Sequence, residues 1–200
     1  MRVLVVGSGG REHALAWKIR QSAHCGRLYA APGNAGIAEV AECLPVAATD
    51  VPGLVRLARD LEIDLVVVGP EAPLAAGLVD ALAEAGIVTF GPTRAAARIE
   101  ASKAYARELM RRAGVPSPRF ATFTSYDEAA TYLDRLAADG VGEVVVKADG
   151  LAAGKGAIVC DTLDEARAAA RAMLVDRQFG DAGATIVIEE RLHGDEASLL

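Results

Sequence analysis

Val144-Val145-Val146-Lys147-Ala148-Asp149-Gly150-Leu151-Ala152-Ala153-Gly154-Lys155-Gly156-Ala157-Ile158-Val159-Cys160 places three glycines and two lysines between two apolar runs. A glycine-rich turn lets backbone N–H groups close around an oxyanion, and lysine brings a compact charge to phosphate oxygens. A P-loop has the same ingredients, but the spacing rejects it. From Gly150 to Gly154 the interval is one residue too short for G-x-x-x-x-G-K-[ST], and Gly156 stands where the hydroxyl should be. The run that follows is suited to a strand, whereas a P-loop opens a helix. The stretch is therefore expected to be a hairpin whose loop is a flap able to fold over phosphates. An ordinary glycine-rich hairpin loop is the plain alternative.

The basic residues point the same way. Of 21 Lys and Arg residues, four are lysine: Lys18, Lys103, Lys147 and Lys155. Arginine supplies nearly all the generic positive charge, so each lysine is a candidate for a place where a point charge is needed. Compositional drift is the alternative.

Upstream of the hairpin, apolar runs alternate with helical patterns. Strands are expected at Val3–Val6, Leu28–Ala31, Leu65–Val68 and Val88–Phe90. Helices are expected at Glu12–Ser22, Val51–Leu61 (capped by Asp50), Leu74–Ala85 and near Arg94–Glu100. Continuous apolar strands separated by helices imply α/β structure with a parallel sheet covered on both faces. The pattern then changes. Ser102 can cap a helix over Lys103–Arg112 that Gly114 and Pro116 end, and Pro116-Ser117-Pro118 reads as a stiff connector. A strand at Phe120–Phe123, a helix behind the capping box Ser125/Glu128, the hairpin, a helix from Thr162/Glu165 to Leu174 and a strand at Ala184–Glu189 follow. That β-α-β-β-α-β order describes a small α+β unit. The boundaries are set at 1–101 and 102–200, with a lid over about 120–188. Glu196–Leu200 reads as the opening of a further strand, and the chain is expected to be part of a longer protein.

Composition narrows the function classes. With a formal net charge of −6, a nucleic-acid surface is not expected, although small anions need only local positive groups. The hydrophobic content of 52% with 4% aromatics suits an alanine-rich α/β protein. Cys25, Cys43 and Cys160 lack any C-x-x-C pair and read as reduced thiols of a cytoplasmic protein. No membrane-length apolar run occurs, and Met1 leads directly into a strand, so neither a span nor a signal peptide is expected.

Three loops gather at the carboxyl edge of the expected parallel sheet, where ligands of such folds collect. Gly7-Ser8-Gly9-Gly10-Arg11-Glu12 sits where a dinucleotide fingerprint would, but Glu12 replaces the third glycine and no acidic residue closes the second strand. NAD is therefore not expected; the turn suits an anion at a helix N-terminus, or is purely structural. Pro32-Gly33-Asn34-Ala35-Gly36 could cradle a phosphate or be a bare loop. Pro70 and Glu71 lie in the next, where the carboxylate could take an amine or hydroxyls. Together the loops favour a shared small-molecule cleft. At the far end, Glu189-Glu190-Arg191-Leu192 with Glu196 could meet an adenine edge and ribose hydroxyls; read alone it is a charged strand end. His13, His24 and His193 have no metal-ligand spacing.

In order, V-G-S-G-G-R-E-H-A-L-A-W (6–17), A-P-G-N-A-G (31–36), V-G-P-E-A-P-L (68–74), F-G-P-T (90–93), S-K-A (102–104), V-K-A-D-G-L-A-A-G-K-G (146–156) and I-E-E-R-L-H-G-D-E-A-S (188–198) resemble one family. It is the phosphoribosylamine–glycine ligase (glycinamide ribonucleotide synthetase) family of ATP-grasp enzymes, and the resemblance runs from Met1 to Leu200. It implies a Rossmann-like pre-ATP-grasp domain followed by an incomplete ATP-grasp domain with an α+β lid. It implies ATP-dependent joining of glycine to 5-phosphoribosylamine through a glycyl phosphate, in de novo purine synthesis.

By the same resemblance, Lys147 and Lys155 are the catalytic lysines. Lys103, Lys147, the loop Gly150, Leu151, Ala152, Ala153, Gly154, Lys155 and Gly156, and Glu189, Glu190, Leu192 and Glu196 would hold ATP. Gly9, Gly10, Arg11, Glu12, Gly33, Asn34, Gly36, Pro70 and Glu71 would bind phosphoribosylamine. Family members continue well beyond this length, and their acidic and Asn ligands for Mg2+ or Mn2+ lie in that part, so no metal ligand is assigned here. The 200 residues alone are expected to lack ligase activity. Oligomeric state is open, with a monomer favoured. Another ATP-grasp ligase and a non-catalytic nucleotide-binding module remain the alternatives.

Overall fold

The protein's structure, a computed structural model, describes residues 1–152 and 154–199; Ala153 and Leu200 lie outside the described residues. Its internal contacts divide it into two units, Met1–Arg98 and Ile99–Leu200.

The first unit is a parallel five-stranded sheet, β1 (Arg2–Gly7), β2 (Arg27–Pro32), β3 (Glu42–Cys43), β4 (Leu65–Val68) and β5 (Thr89–Phe90), in the order β3-β2-β1-β4-β5. Its strands are apolar at nearly every position because both faces are buried. Leu4, Val6, Tyr29, Ala31, Val66 and Val68 face one core with Leu54, Ala58, Leu74, Leu78 and Leu82. Val3, Val5, Leu28, Ala30 and Val67 face the other with Ala16 and Ile37. The covering helices are α1 (Gly10–Arg20), α2 (Val51–Asp60), α3 (Glu71–Ala76) and α4 (Leu78–Glu84), and α5 (Arg94–Ala101) follows. Asp50 caps α2 by accepting the Gly53 N–H at 2.9 Å.

Some boundaries differ from the sequence reading. The first helix starts at Gly10 and ends at Arg20, not Glu12 to Ser22. The single helix expected over Leu74–Ala85 is two short ones, divided at Gly77, whose φ of +90° breaks the helical backbone.

The second unit opens with α6 (Lys103–Ala113). Ser102 caps it by accepting the Tyr105 N–H at 3.1 Å, and Gly114 closes it in the left-handed region at φ +67°. Strands β6 (Phe120–Phe123), β7 (Val144–Ala148), β8 (Ala157–Cys160) and β9 (Ile186–Glu190) form an antiparallel sheet ordered β6-β9-β7-β8. Helices α7 (Tyr126–Ala138) and α8 (Leu163–Leu174) cover one face of it. Val144, Val146, Ala148, Ile186 and Ile188 meet Ala129, Leu133, Ala166, Ala170 and Met173 there. Period-2 alternation sends Val145, Lys147, Val187 and Glu189 to the opposite face.

Of the two capping boxes, Thr162 accepts the Glu165 N–H at 3.2 Å, while the Glu165 carboxylate takes the N–H of Asp161, one residue early. The Ser125/Glu128 box does not form; Ser125 makes no side-chain cap. The strand expected from Glu196 is absent over residues 196–199. Among the described residues no helix is long and apolar enough to cross a membrane.

Candidate functional site

The glycine-rich stretch is the loop of a hairpin. β7 and β8 pair antiparallel with Val144 opposite Cys160 and Lys147 opposite Ala157, which rules out the strand-to-helix turn of a P-loop. The loop is anchored at both ends. Asp149 and Gly150 donate their N–H groups to Thr185 at 3.0 Å and to the Ala182 carbonyl at 3.0 Å, and Ala148 donates to Gly156 at 2.7 Å. At its tip Lys155 N–H closes a turn on the Ala152 carbonyl, and the Lys155 side chain is exposed. Ala153 lies outside the described residues. A side chain at Gly156 would come within 2.6 Å of Ala152, so the loop's return needs glycine there.

Three of the four lysines surround this loop. Lys103, at the first turn of α6, donates from Nζ to the Gly150 carbonyl at 3.1 Å. Lys147 lies on β7, and Lys155 on the tip. Lys18 is exposed on α1 in the other unit.

Lys147 is part of an ionic cluster that the sequence did not reveal. Glu189, 2% exposed, takes Arg107 Nε at 2.6 Å and a second guanidinium nitrogen at 2.9 Å, one on each carboxylate oxygen. Lys147 Nζ donates to Glu189 Oε2 at 2.5 Å. Burial alone would raise the Glu189 carboxyl, but the hydrogen bonds and charges of Arg107 and Lys147 outweigh it and hold it below the ordinary range. Two cations on one carboxylate leave a net positive charge on this sheet face.

Beyond Glu189, the Glu190 N–H is given to the Arg119 carbonyl at 2.8 Å, and its carboxylate faces the Arg119 guanidinium at 3.4 Å. Leu192 and Glu196 are exposed and follow the strand without regular structure. Arg191 and His193 are held against Glu143, His193 at 2.8 Å, and Arg191 also pairs with Asp161.

In the first unit the expected loops do gather at the carboxyl ends of parallel strands. Glu12 explains the broken fingerprint. It is 3% exposed, and its carboxylate accepts the Gly9 N–H at 2.7 Å and Arg11 Nε at 2.9 Å. A side chain at Gly7 would come within 2.6 Å of it and one at Gly9 within 2.9 Å, and Gly69 faces it as closely. The glycines make room for a carboxylate of the chain itself, which occupies the amide at this helix N-terminus.

Asn34 ties the second loop to the first, donating to the Ser8 carbonyl at 2.8 Å and accepting the Ile37 N–H at 2.8 Å. The His13 ring packs on Gly36, and Pro70 on Gly7. Gly33 bonds back to Gly7 at 3.1 Å in a left-handed conformation, φ +72°. Gly10 stands open, and Arg11 also reaches Glu71 at 3.5 Å, both side chains well exposed. Among the described residues no group of three or more His, Cys, Asp or Glu side chains could hold a metal ion.

A parallel α/β unit followed by an antiparallel unit, with a lysine-bearing glycine loop joining its second and third strands in sequence, defines an ATP-grasp protein. The fold is shared with biotin carboxylase from Campylobacter jejuni, solved with a β,γ-ATP compound (TM-score 0.76, 20% identity, 96% of this chain and 45% of that one). Residues 1–100 match phosphoribosylglycinamide synthetase, N domain, and residues 101–200 its ATP-grasp (A) domain. The chain belongs to the phosphoribosylglycinamide synthetase family. It is 50% identical, over its whole length, to the phosphoribosylamine–glycine ligase of Haemophilus influenzae. The corresponding crystal structure from Thermotoga maritima superposes over 98% of the chain (TM-score 0.76, 27% identity) and 45% of its own length. The chain spans about half the length of the curated relatives it matches, 46% of the Haemophilus protein.

Proposed function

We propose that this chain supplies the amine-substrate domain and the first part of the ATP-binding domain of a cytoplasmic phosphoribosylamine–glycine ligase. ATP phosphorylates the carboxylate of glycine, and the amine of 5-phosphoribosylamine attacks the glycyl phosphate to give glycinamide ribonucleotide, ADP and phosphate. What carries this reading is the match to both parts of one family, in order and across all 200 residues. Lys103 bonded to the glycine loop, Lys155 at its tip and Lys147 on the strand that leads into it support it.

Phosphoryl transfer needs charge neutralisation and alignment more than covalent help from the protein. Lys103 and Lys147 meet the ATP phosphates, and Lys155 approaches them as the 150–156 loop closes. Glu189, Glu190, Leu192 and Glu196 frame the adenosine end. The closed loop keeps water from the acyl phosphate. Residues 1–101 form the substrate domain, where Gly9–Glu12, Gly33–Gly36 and Pro70–Glu71 receive phosphoribosylamine. Residues 102–200 begin the ATP-grasp domain, with the lid at about 120–188. Among the described residues no group of three or more His, Cys, Asp or Glu side chains could hold a metal ion, so no Mg2+ or Mn2+ ligand is assigned among them.

The test is ADP release by the full-length protein. It should require glycine and phosphoribosylamine together. ATP turnover on bicarbonate, or on another amino acid in place of glycine, overturns the assignment.

A further inference from the structure

We propose that Arg107 is a positioning residue that holds the charge of Glu189 in check so that Lys147 is released from it to nucleotide phosphate. The inference rests on the ATP reading above.

Lys147 has two demands on it. In the structure its ammonium lies on Glu189 Oε2 at 2.5 Å, and the proposed chemistry requires the same ammonium at a phosphate oxygen. Leaving Glu189 would strand a carboxylate that is 2% exposed, and a buried unpaired charge is strongly unfavourable. Arg107 removes that obstacle. Its guanidinium engages both oxygens of Glu189, at 2.6 and 2.9 Å, in the planar two-pronged pairing that lysine cannot make. Glu189 therefore stays neutralised whether or not Lys147 is present, and Lys147 is the surplus charge of the cluster.

The elements fix this division of labour. Val187 lies opposite Lys147 in the β7–β9 pairing, so Glu189 is the diagonal neighbour two residues along on the same face. Lys147 approaches from within the sheet. Arg107 comes from α6, packed on β9 (Ile186–Glu190), and its side chain is about one-fifth exposed, so solvent screens its pairing with Glu189 little. Arg107 also borders Met110 on its own helix, and no other carboxylate competes for it among the described residues.

The experiment is MgATP binding by isothermal titration to the full-length protein and to Arg107→Lys, Arg107→Gln, Glu189→Gln and Arg107→Gln/Glu189→Gln. Lysine keeps the charge but not the two-pronged pairing, so Arg107→Lys should lose affinity, though less than Arg107→Gln. Glutamine keeps a hydrogen-bond donor but loses the charge, so Lys147 stays bound to Glu189 and affinity should fall about tenfold or more. Removing the carboxylate as well frees Lys147, and the double variant should bind within about threefold of Glu189→Gln alone. Arg107→Gln binding like the unaltered protein overturns the proposal. So does a double variant much weaker than Glu189→Gln, a comparison that holds even if Arg107→Gln does not fold. If the unaltered protein does not bind MgATP, the nucleotide reading itself falls; unchanged binding by Arg107→Gln removes only the role of Arg107.

Discussion

The carboxylate of Asp149 accepts the backbone N–H of Ala104 at 2.7 Å, joining the base of the glycine-rich loop to the first turn of α6. Ser102 Oγ donates to the same carboxylate, and the Lys103 N–H donates to the Asp149 carbonyl at 3.2 Å. A negative charge at a helix N-terminus meets unpaired amides and the positive end of the dipole. One residue thus sets where Lys103 stands relative to the loop.

Asp149→Ala should therefore destabilise the protein by about 1–2 kcal/mol in urea unfolding, the usual effect of losing a helix cap. Amide exchange in the first turn of α6 should quicken with it. Asp149→Asn, which keeps an acceptor oxygen, should lose less. No loss of stability on Asp149→Ala would show that the contact contributes little.

The two ends of the loop differ in what they tolerate. A methyl at Gly150 would lie 2.8 Å from the Ala182 backbone, which cannot swing aside as a side chain would. At Gly154 nothing lies within 4 Å, but φ is +78°. Gly154→Ala should then be destabilising by about 1 kcal/mol from backbone strain alone. Gly150→Ala should be the worse of the two, by about 1–3 kcal/mol, through displacement of the Gly180–Gly183 turn. Thermal unfolding of both variants ranks them, and the reverse order would contradict this account.

The strands were legible in the sequence because both faces of the parallel sheet are buried, which makes each strand a continuous apolar run. The two-residue strand β3 has no period to read. Gly77 carries no break signal in the sequence because the apolar spacing of Leu74, Leu78 and Leu82 runs straight through it, while the backbone turns there. The lysines stood out against an arginine-rich background, yet Arg107 was hidden by that background. Its partner lies 82 residues away, and only the pairing of β9 with β7 and the packing of α6 bring them together. Glu12 was equally opaque. Its place is made by the missing side chains of Gly7, Gly9 and Gly69, and sequence spacing does not show that they share one small volume.

In the first unit Asn34 works in both directions, as donor to Ser8 and acceptor from Ile37. Asn34→Ala should lower stability by about 1–3 kcal/mol, since two backbone groups lose their partner. Asn34→Asp keeps the acceptor for Ile37 but sets a carboxylate against the Ser8 carbonyl. It should be at least as damaging at neutral pH and partly recover in acid, where the side chain can protonate. Urea unfolding at pH 7 and pH 4 compares them; a pH-independent gap between the variants would exclude that repulsion.

Glu189 links the ionic cluster to pH. Its folded-state pKa is depressed, because Arg107 and Lys147 outweigh the effect of burial, so its stabilisation is complete above the unfolded value of about 4.3. That contribution is lost as pH falls through the lower folded value. Glu190, beside Arg119, and Glu108, held down to about 2 by Arg111 and Arg112, titrate in the same direction. Both pairings are at the surface, where solvent screens them and their share is small. Glu189→Gln should therefore be less stable at pH 7 by about 3 kcal/mol, having left two partly buried cations without their anion. Between about pH 5 and pH 3 its stability should fall less steeply than that of the unaltered protein. Urea unfolding across that range measures both slopes. Parallel curves would mean that Glu189 titrates alike in the folded and unfolded chains, and that the Arg107–Glu189–Lys147 cluster does not hold its charge as described.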